Sequence, residues 1–283
     1  ALYYCPITGK IEDHNKGLKH IHNKEIVSIG DPDLRFEEDP VRSLRAIRFC
    51  TKLNFKINNN IKEAIYKKGH LLSSVSNARL FDEFCKIFLN GMAEKNFNKL
   101  VSFGLNKYLV STNLNGCEFS NQLIIEALRN TDNRIKNNQS VTPGFLIAAL
   151  LWPQLIKKSL KGNEINLKKF FRSMDSILRN QQKITAIPRK FHTYIKDIWV
   201  LQLKLHSRIG RQPYKTLKHP RFRAAYDFLL VREKAAAKTK DLGFWWTEFQ
   251  KNNEDLKKKL INDLKKNNLE ESSKIFGFSK ELR

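Results

Sequence analysis

The sequence has few cysteines that could cross-link a fold and no long apolar run that could span a membrane. Only four of its 283 residues are cysteines, and they stand far apart with no Cys-x-x-Cys pair, so neither a zinc site nor a disulfide framework is indicated. The longest apolar run, residues 145–152, is much shorter than the roughly 20 residues that cross a bilayer. We therefore expect no membrane span, and a reducing cytoplasm as the protein's location.

Signatures of several enzyme classes are also missing. The chain has no Gly-rich phosphate loop, no His-Glu-x-x-His zinc motif and no Gly-x-Ser-x-Gly nucleophile motif. Three histidines, His14, His20 and His22, lie close together, but no acid-rich segment accompanies them. We interpret these histidines as incidental rather than as metal ligands.

Acidic residues are scarce. The chain has 28 Asp and Glu against 52 Lys and Arg, a formal net charge of +24. Between Ser176 and Tyr226, twelve basic residues stand against a single acid, Asp197. A solvated helical surface normally interleaves both signs, so this segment indicates phosphate contacts, and its scattered aromatic residues favour single-stranded or structured RNA over duplex DNA. The predicted RNA-binding residues are Arg189, Lys190, Arg208, Arg211, Lys215, Lys218, Arg221 and Arg223.

The hydrophobic pattern predicts a mostly α-helical fold. A hairpin around residues 7–9 and a strand at 25–29 are the exceptions. The predicted helices cover residues 57–68, 76–90, 93–104, 119–137, 142–152, 168–180 and 189–205, with another from residue 219.

Three local features of this helical region carry further expectations. The helix at 142–152 is apolar all round, which is typical of a core helix, and Pro153 is expected to end it. The aromatic residues 244–246 are expected to serve packing. The Lys/Asn/Glu-rich residues 251–283 are expected to form a frayed helix or flexible tail.

One stretch, Arg35 to Phe49, combines structural and chemical signals. Asp39 suits an N-cap and Pro40 a first helical turn. From Val41 onward, arginines 42, 45 and 48 fall within one arc of roughly 120°, nearly opposite residues 44, 47 and 50. The pattern predicts one packing face and one face for an anion, with a base-reading edge formed by Glu38, Asp39 and Arg42. The alternative is a surface helix with capping acids and a solvated arginine stripe.

Arg35–Phe49 closely resembles the E-D-x-x-R-x-x-R-A-x-R-F signature of class II nucleotidyltransferases, the family of bacterial poly(A) polymerases and CCA-adding enzymes. Residues 78–83, A-R-L-F-D-E, resemble the neck motif that follows in that family. Arg79 and Glu83 within it suit either a functional role or an ordinary i,i+4 ion pair. Residues 130–134, 186–189, 197–202 and 219–226 are similar to bacterial poly(A) polymerases in particular.

The resemblance implies a remnant of an α/β head at residues 1–34, a helical neck at 35–110 and a helical RNA-binding body and leg at 111–250. It places the catalytic carboxylates, in D-x-D and Arg-Arg-Asp segments, upstream of Ala1. We therefore expect most of the head and the Mg²⁺ ligands to lie outside the chain, which then holds no catalytic or metal-binding residue and on its own is inactive.

The resemblance also implies nucleotide-binding residues. Asp39 and Arg42 match positions that contact the incoming base, and Glu38 and Arg45 lie in the same motif. Adenine and cytosine each present an amino donor beside a ring-nitrogen acceptor, which a carboxylate and a guanidinium can read together. Guanine and uracil reverse this pattern, leaving polar groups unpaired at about 1–3 kcal/mol each.

The expected activity is addition of AMP from ATP to RNA 3′ ends without a template, as in mRNA polyadenylation and RNA turnover. Two alternatives remain, a CCA-adding tRNA nucleotidyltransferase and a non-catalytic RNA-binding helical module. The sequence departs from the family at residues 16–21, K-G-L-K-H-I, where the family usually has Gly-Gly-x-x-Asp-Leu.

Overall fold

The computed structural model describes residues 2–111, 118–162, 164–235, 239 and 241–266. These residues form two compact units. The first contains the chain up to Val110 together with Ile184–Ala186, and the second contains the remainder. Helices dominate both units, as predicted. No helix within the described ranges is long and apolar enough to cross a membrane.

The first unit combines short strands with helices. Its strands are β1 (Leu2–Tyr4), β2 (Ile11–Asp13), β3 (Glu25–Ile26) and β4 (Lys56–Ile57). Its α-helices are α1 (Gly17–His22), α2 (Pro32–Glu38), α3 (Val41–Leu53), α4 (Asn59–Lys68), α5 (Asn77–Phe88) and α6 (Ala93–Ser102), with 3-10 turns at Gly69–Ser74 and Asn106–Tyr108.

The predicted hairpin is present. Strands β1 and β2 pair antiparallel, with Leu2 opposite Asp13, and Gly9 takes a left-handed φ of 65° in the turn, which glycine adopts without steric cost. The predicted strand at 25–29 is shorter than expected, and β3 pairs in parallel with β4. Large apolar side chains of this region, including Tyr3, Tyr4 and Ile7, are exposed.

Helix α1 lies where the sequence departs from the family that it resembles. Lys16, immediately before the helix, has a left-handed φ of 54°, a conformation that favours glycine. The Asp13 carboxylate accepts the Gly17 and Leu18 N–H groups at 2.6 and 2.9 Å, and these hydrogen bonds lower the pKa of Asp13. The carboxylate thus accepts hydrogen bonds from two N–H groups at the start of α1, while Lys16 remains in a strained conformation.

Helix α3 forms the core of the first unit through its predicted packing face. Leu44, Ile47 and Cys50 are buried, and α3 packs against α5 and α6. The predicted cap is present, although Val41 is the first residue assigned to the helix. Asp39 has an extended backbone, and its carboxylate accepts the Val41 N–H at 3.2 Å, as an N-cap side chain does. Pro40 has a helical backbone and lies in the first turn, as expected.

The second unit is a helical assembly. Its helices are α7 (Glu118–Lys136), α8 (Pro143–Ser159), α9 (Leu167–Gln182), α10 (Arg189–Leu205), α11 (Gln212–Leu217), α12 (Phe222–Lys234), α13 (Leu242–Lys251) and α14 (Glu254–Lys266). A two-residue ladder, β5 (Leu160–Lys161) with β6 (Glu164–Ile165), lies between α8 and α9.

Helix α8 is the predicted core helix of this unit, in contact with α7, α9, α10 and α12. Thr142 caps it by accepting the Phe145 N–H at 3.2 Å, as expected. The prediction that Pro153 ends it was wrong, because the helix continues to Ser159. Leu155 and Ile156 beyond the proline are buried, so apolar packing outweighs the hydrogen bond that proline cannot donate.

The C-terminal helices contribute to an apolar cluster of the second unit. Trp245 and Trp246 are buried, while Phe244 is 70% exposed, so the predicted packing role holds for the tryptophans. Ile261 of α14 is buried in the same cluster. Residues 254–266 are therefore a packed helix rather than the frayed or flexible segment expected there, because one apolar stripe of α14 meets α13. Residues 267–283 of the predicted tail lie outside the described part.

Candidate nucleotide-binding and nucleic-acid-binding sites

Three charged side chains form a compact ion-pair group at the junction of α2 and α3. Glu38 Oε2 accepts from Arg35 Nη1 at 2.6 Å and from Arg42 Nη1 at 2.8 Å. Arg42 Nη1 also donates to the Arg35 carbonyl at 2.9 Å. The hydrogen bond from Arg42, together with the Arg35 charge, lowers the pKa of Glu38. Glu38 thus holds both guanidinium groups in place and remains ionised at neutral pH.

Asp39 lies beside this group and is held by a different arginine. Its Oδ2 is 2.8 Å from Arg79 Nη2 and 3.9 Å from Arg42 Nε, and its side chain is only 16% exposed. The arrangement fixes the Asp39 carboxylate next to the Arg42 guanidinium. These are the acceptor and donor that the base-reading hypothesis requires, and each oxygen of Asp39 retains a further lone pair.

Arg79 is a site residue that the sequence-based site prediction did not include. Of the two alternatives for Arg79, the ordinary i,i+4 pair with Glu83 is not observed, and Glu83 instead accepts from Lys86 at 2.8 Å. Arg79 turns toward Asp39 because α5 packs against α3. The signal that could have found it was its position in the A-R-L-F-D-E segment, next in the chain after the Arg35–Phe49 motif.

A cavity of about 480 Å³ opens on this face, lined by Arg35, Arg42 and Arg45 and by apolar side chains. Its apolar wall includes Val27, Ile29 and Phe49. An apolar wall with a few convergent cationic groups suits a ligand that has a flat ring and an anionic part. Among the predicted residues, Arg42 belongs to both this cavity and the Asp39 group, and Arg45 lies on the cavity wall.

The predicted RNA-binding residues lie on or beside three helices of the second unit. Arg189 and Lys190 open α10, Lys215 is in α11, and Arg223 is in the first turn of α12. All but one of the eight are exposed. The exception is Arg208, which is half-buried with its guanidinium 5.5 Å from the Trp245 ring centroid, and burial lowers its pKa. Arg208 therefore contributes to packing, unlike the other seven.

Other titratable groups of the described residues do not form a metal centre. No group of three His, Cys, Asp or Glu side chains within the described ranges is placed to hold a metal ion. Burial raises the pKa of the Cys50 thiol and raises that of Cys85 to about 11, so both are unreactive thiols at neutral pH. The part of the chain that the structure describes therefore does not fit a magnesium site.

Two family models match the chain. Residues 54–112 match "Probable RNA and SrmB- binding site of polymerase A", and residues 163–275 match "Polymerase A arginine-rich C-terminus". Between them they cover parts of both units, including Arg79 and all eight predicted RNA-binding residues.

Curated relatives agree with these models. The chain is 35% identical over 275 residues to poly(A) polymerase I of Salmonella typhi, covering 93% of this chain and 59% of the relative. It is 26% identical over 245 residues to the CCA-adding enzyme of Bacillus pumilus, covering 82% of this chain and 60% of that enzyme. The chain thus spans about three fifths of the length of the curated relatives that it matches.

Solved structures share the fold. A structure titled "tRNA-processing enzyme (apo form 2)" superposes with a TM-score of 0.59 at 17% identity, over 90% of this chain and 69% of that one. The Bacillus stearothermophilus CCA-adding enzyme in complex with CTP superposes with a TM-score of 0.51 at 21% identity, over 93% and 56%. These structures show the fold of the chain, and residues 54–112 and 163–275 are the two poly(A) polymerase domains that the family models describe.

Proposed function

We propose that the protein of which this chain forms part adds AMP from ATP to RNA 3′ ends without a template. In this reaction the RNA 3′-OH attacks the α-phosphate of ATP, a new P–O bond forms, and pyrophosphate leaves. The observation that carries the proposal is the Asp39–Arg42 pair, in which a carboxylate fixed by Arg79 lies beside a guanidinium on the wall of an arginine-lined cavity.

The pair would read the edge of the incoming base. Asp39 would accept the exocyclic amino group of adenine, and Arg42 would donate to the neighbouring ring nitrogen. Arg35 and Arg45 are on the same cavity wall as Arg42, where their guanidinium groups would attract the triphosphate. Glu38 would act through Arg35 and Arg42, which it holds by short hydrogen bonds, rather than by touching the base.

RNA would be bound by the exposed cations of the second unit. Seven of the eight predicted residues are exposed, as phosphate contacts require, and Arg208 is assigned to packing on Trp245 instead. The expected partners of this part are therefore ATP and RNA. We assign the described residues base and RNA binding, and we expect residues 1–283 alone to bind RNA without extending it.

A CCA-adding activity is the second candidate, since adenine and cytosine share the edge that Asp39 and Arg42 read. The similarity to poly(A) polymerase I, at 35% identity over 93% of the chain, favours the first candidate over the 26% identical CCA-adding relative. The whole protein should be assayed with ATP and CTP on a generic RNA and on tRNA lacking its CCA end. Strong ATP use with little CTP use supports the proposal, and strong CTP use on the truncated tRNA would overturn it.

The assignment of base and RNA binding to residues 1–283 can be tested separately. Residues 1–283 should shift a labelled RNA in a binding assay but give no magnesium-dependent incorporation of ATP. Incorporation by this fragment would contradict the assignment of base and RNA binding alone, and failure to bind RNA would support neither candidate.

A further inference from the structure

A separate cavity lies within the second unit, away from the Asp39 group in sequence. It has a volume of about 210 Å³ and is lined by the end of α7, the start of α8, the middle of α10 and the start of α12. Its lining includes Arg134, Arg221 and Arg223 and the rings of Phe145 and Tyr194. Of these, only Arg221 and Arg223 were predicted to bind RNA.

The cavity has a surplus of positive charge. Asp227 lies between two of its arginines, with Oδ2 3.2 Å from Arg134 Nη1 and Oδ1 3.0 Å from Arg223 Nε. Asp227 is the only acid on the cavity wall that the structure describes, against three arginines, which leaves a net charge of +2. An anion entering here would therefore be attracted, and guanidinium groups suit phosphate in particular.

Tyr194 presents a fixed ring to the same cavity. Its ring packs against Gly144 so closely that a Cβ at position 144 would lie 2.8 Å from Tyr194 Cδ1. The Arg221 guanidinium lies 4.9 Å from the Tyr194 ring centroid, and Arg221 itself is exposed. The cavity thus combines a closely packed aromatic ring with an exposed cation that lies over it.

We propose that this cavity holds one unpaired nucleotide of a bound RNA strand. The phosphate would be held by Arg221 and Arg223, and the base would stack against Tyr194. A positively charged groove with an aromatic platform is the chemistry that binds single-stranded nucleic acid. The volume of about 210 Å³ is below the 300–1,000 Å³ usual for drug-sized ligands, so the cavity has room for no more than one nucleotide. The inference rests on the proposed RNA binding of this unit and specifies where one nucleotide is held.

The test uses the whole protein and a single-stranded oligoribonucleotide with 4-thiouridine at each position in turn. Photocrosslinking should join the RNA to the tryptic peptide Phe191–Lys196, which contains Tyr194. In solution, Arg221→Gln and Tyr194→Leu should each weaken RNA binding about tenfold, and Arg221→Gln should lower the salt dependence by about one phosphate contact, a slope change of roughly 0.7 for a single strand. Lys204→Gln, an exposed charge change on α10 outside the cavity, is the matched control.

The results distinguish failure of the proposed RNA binding from failure of the proposed nucleotide site. If the unaltered protein does not bind RNA, the proposed function and this inference both fail. If it binds RNA but the two variants behave like Lys204→Gln and no crosslink forms at Phe191–Lys196, this inference alone is overturned. Binding assays with free AMP and ATP test whether the cavity takes a free nucleotide instead of a nucleotide of an RNA strand. If Arg221→Gln weakens the binding of free nucleotide and leaves RNA binding unchanged, this inference is also overturned. Thermal unfolding of each variant shows that the fold is kept.

Discussion

The Arg79 guanidinium donates to the Asp39 carboxylate at 2.8 Å, across 40 positions of sequence. This contact joins α5 to the junction between α2 and α3. It holds the Asp39 carboxylate beside Arg42, whose Nε is 3.9 Å away. The proposed base-reading edge therefore depends on a residue that lies outside the Arg35–Phe49 motif.

Replacing Arg79 should impair nucleotide selection. In Arg79→Gln, the Asp39 carboxylate loses a charged partner and gains freedom to turn away from the base. We expect the preference for ATP over GTP to fall roughly tenfold, because a hydrogen bond to a charged group is worth about 1.5 kcal/mol. Single-nucleotide incorporation by the whole protein measures this. Arg79→Lys should restore part of the preference, and equal loss in both variants would argue against positioning through charge.

Stability should depend on pH through His206. Burial, together with the Arg232 and Arg208 charges, lowers the pKa of His206 to about 3 from an ordinary value of 6.5. The unfolded chain therefore binds a proton that the folded chain does not, and the stabilising contribution is lost as the pH falls from 6.5 toward 3. Between pH 7 and pH 5 we expect a loss of about 2 kcal/mol from this residue.

Urea unfolding at both pH values, followed by far-UV circular dichroism, measures this contribution of His206. In His206→Gln the difference between pH 7 and pH 5 should shrink by about that amount. A His206→Gln variant with the same pH dependence as the unaltered protein would contradict the assignment.

Helix α13 offers a matched pair of aromatic substitutions. Trp246 is fully buried, and its Nε1 donates to the Leu205 carbonyl at 2.9 Å, so Trp246→Ala should cost about 3–5 kcal/mol of unfolding free energy. Phe244, two residues earlier, is exposed, and Phe244→Ala should stay within about 0.5 kcal/mol. Similar losses in both variants would show that the burial of these two side chains does not differ as described.

Lys16 provides a substitution that should increase stability. Its left-handed φ of 54° costs an L-residue about 1–2 kcal/mol. Lys16→Gly would remove this strain but would raise the conformational entropy of the unfolded chain, so we expect a net gain in stability of about 0.5–1 kcal/mol. Lys19→Gly, inside α1, should instead destabilise by about 1 kcal/mol. Destabilisation by both substitutions would refute the strain at Lys16.

Local signals in the sequence were sufficient for several elements. Helix α10 runs from Arg189 to Leu205 as predicted, because Pro188 precedes it and its apolar residues recur with helical period. The burial of Leu44, Ile47 and Cys50 followed from the same periodicity. These features depend on residues within one or two helical turns, which are close together in the sequence.

Features set by tertiary packing were harder to predict. Pro153 has the local chemistry of a helix end, but burial of Leu155 and Ile156 carries α8 past it. The Arg79–Asp39 contact joins residues that only the packing of α5 on α3 brings together. Helix α14 looked like a solvated tail because its few apolar residues are diluted by lysines, and only its contact with α13 gives it a buried side.

The central claim is that Asp39 and Arg42 together select the base. Its most direct test is single-nucleotide incorporation by the whole protein with ATP, CTP, GTP and UTP, comparing the unaltered protein with Arg42→Ala. Arg48→Ala, on the same helix but packed over the Phe49 ring at 4.8 Å, is the control. The account predicts that Arg42→Ala relaxes or abolishes the preference for ATP while Arg48→Ala keeps it. An unchanged nucleotide preference in Arg42→Ala would contradict it.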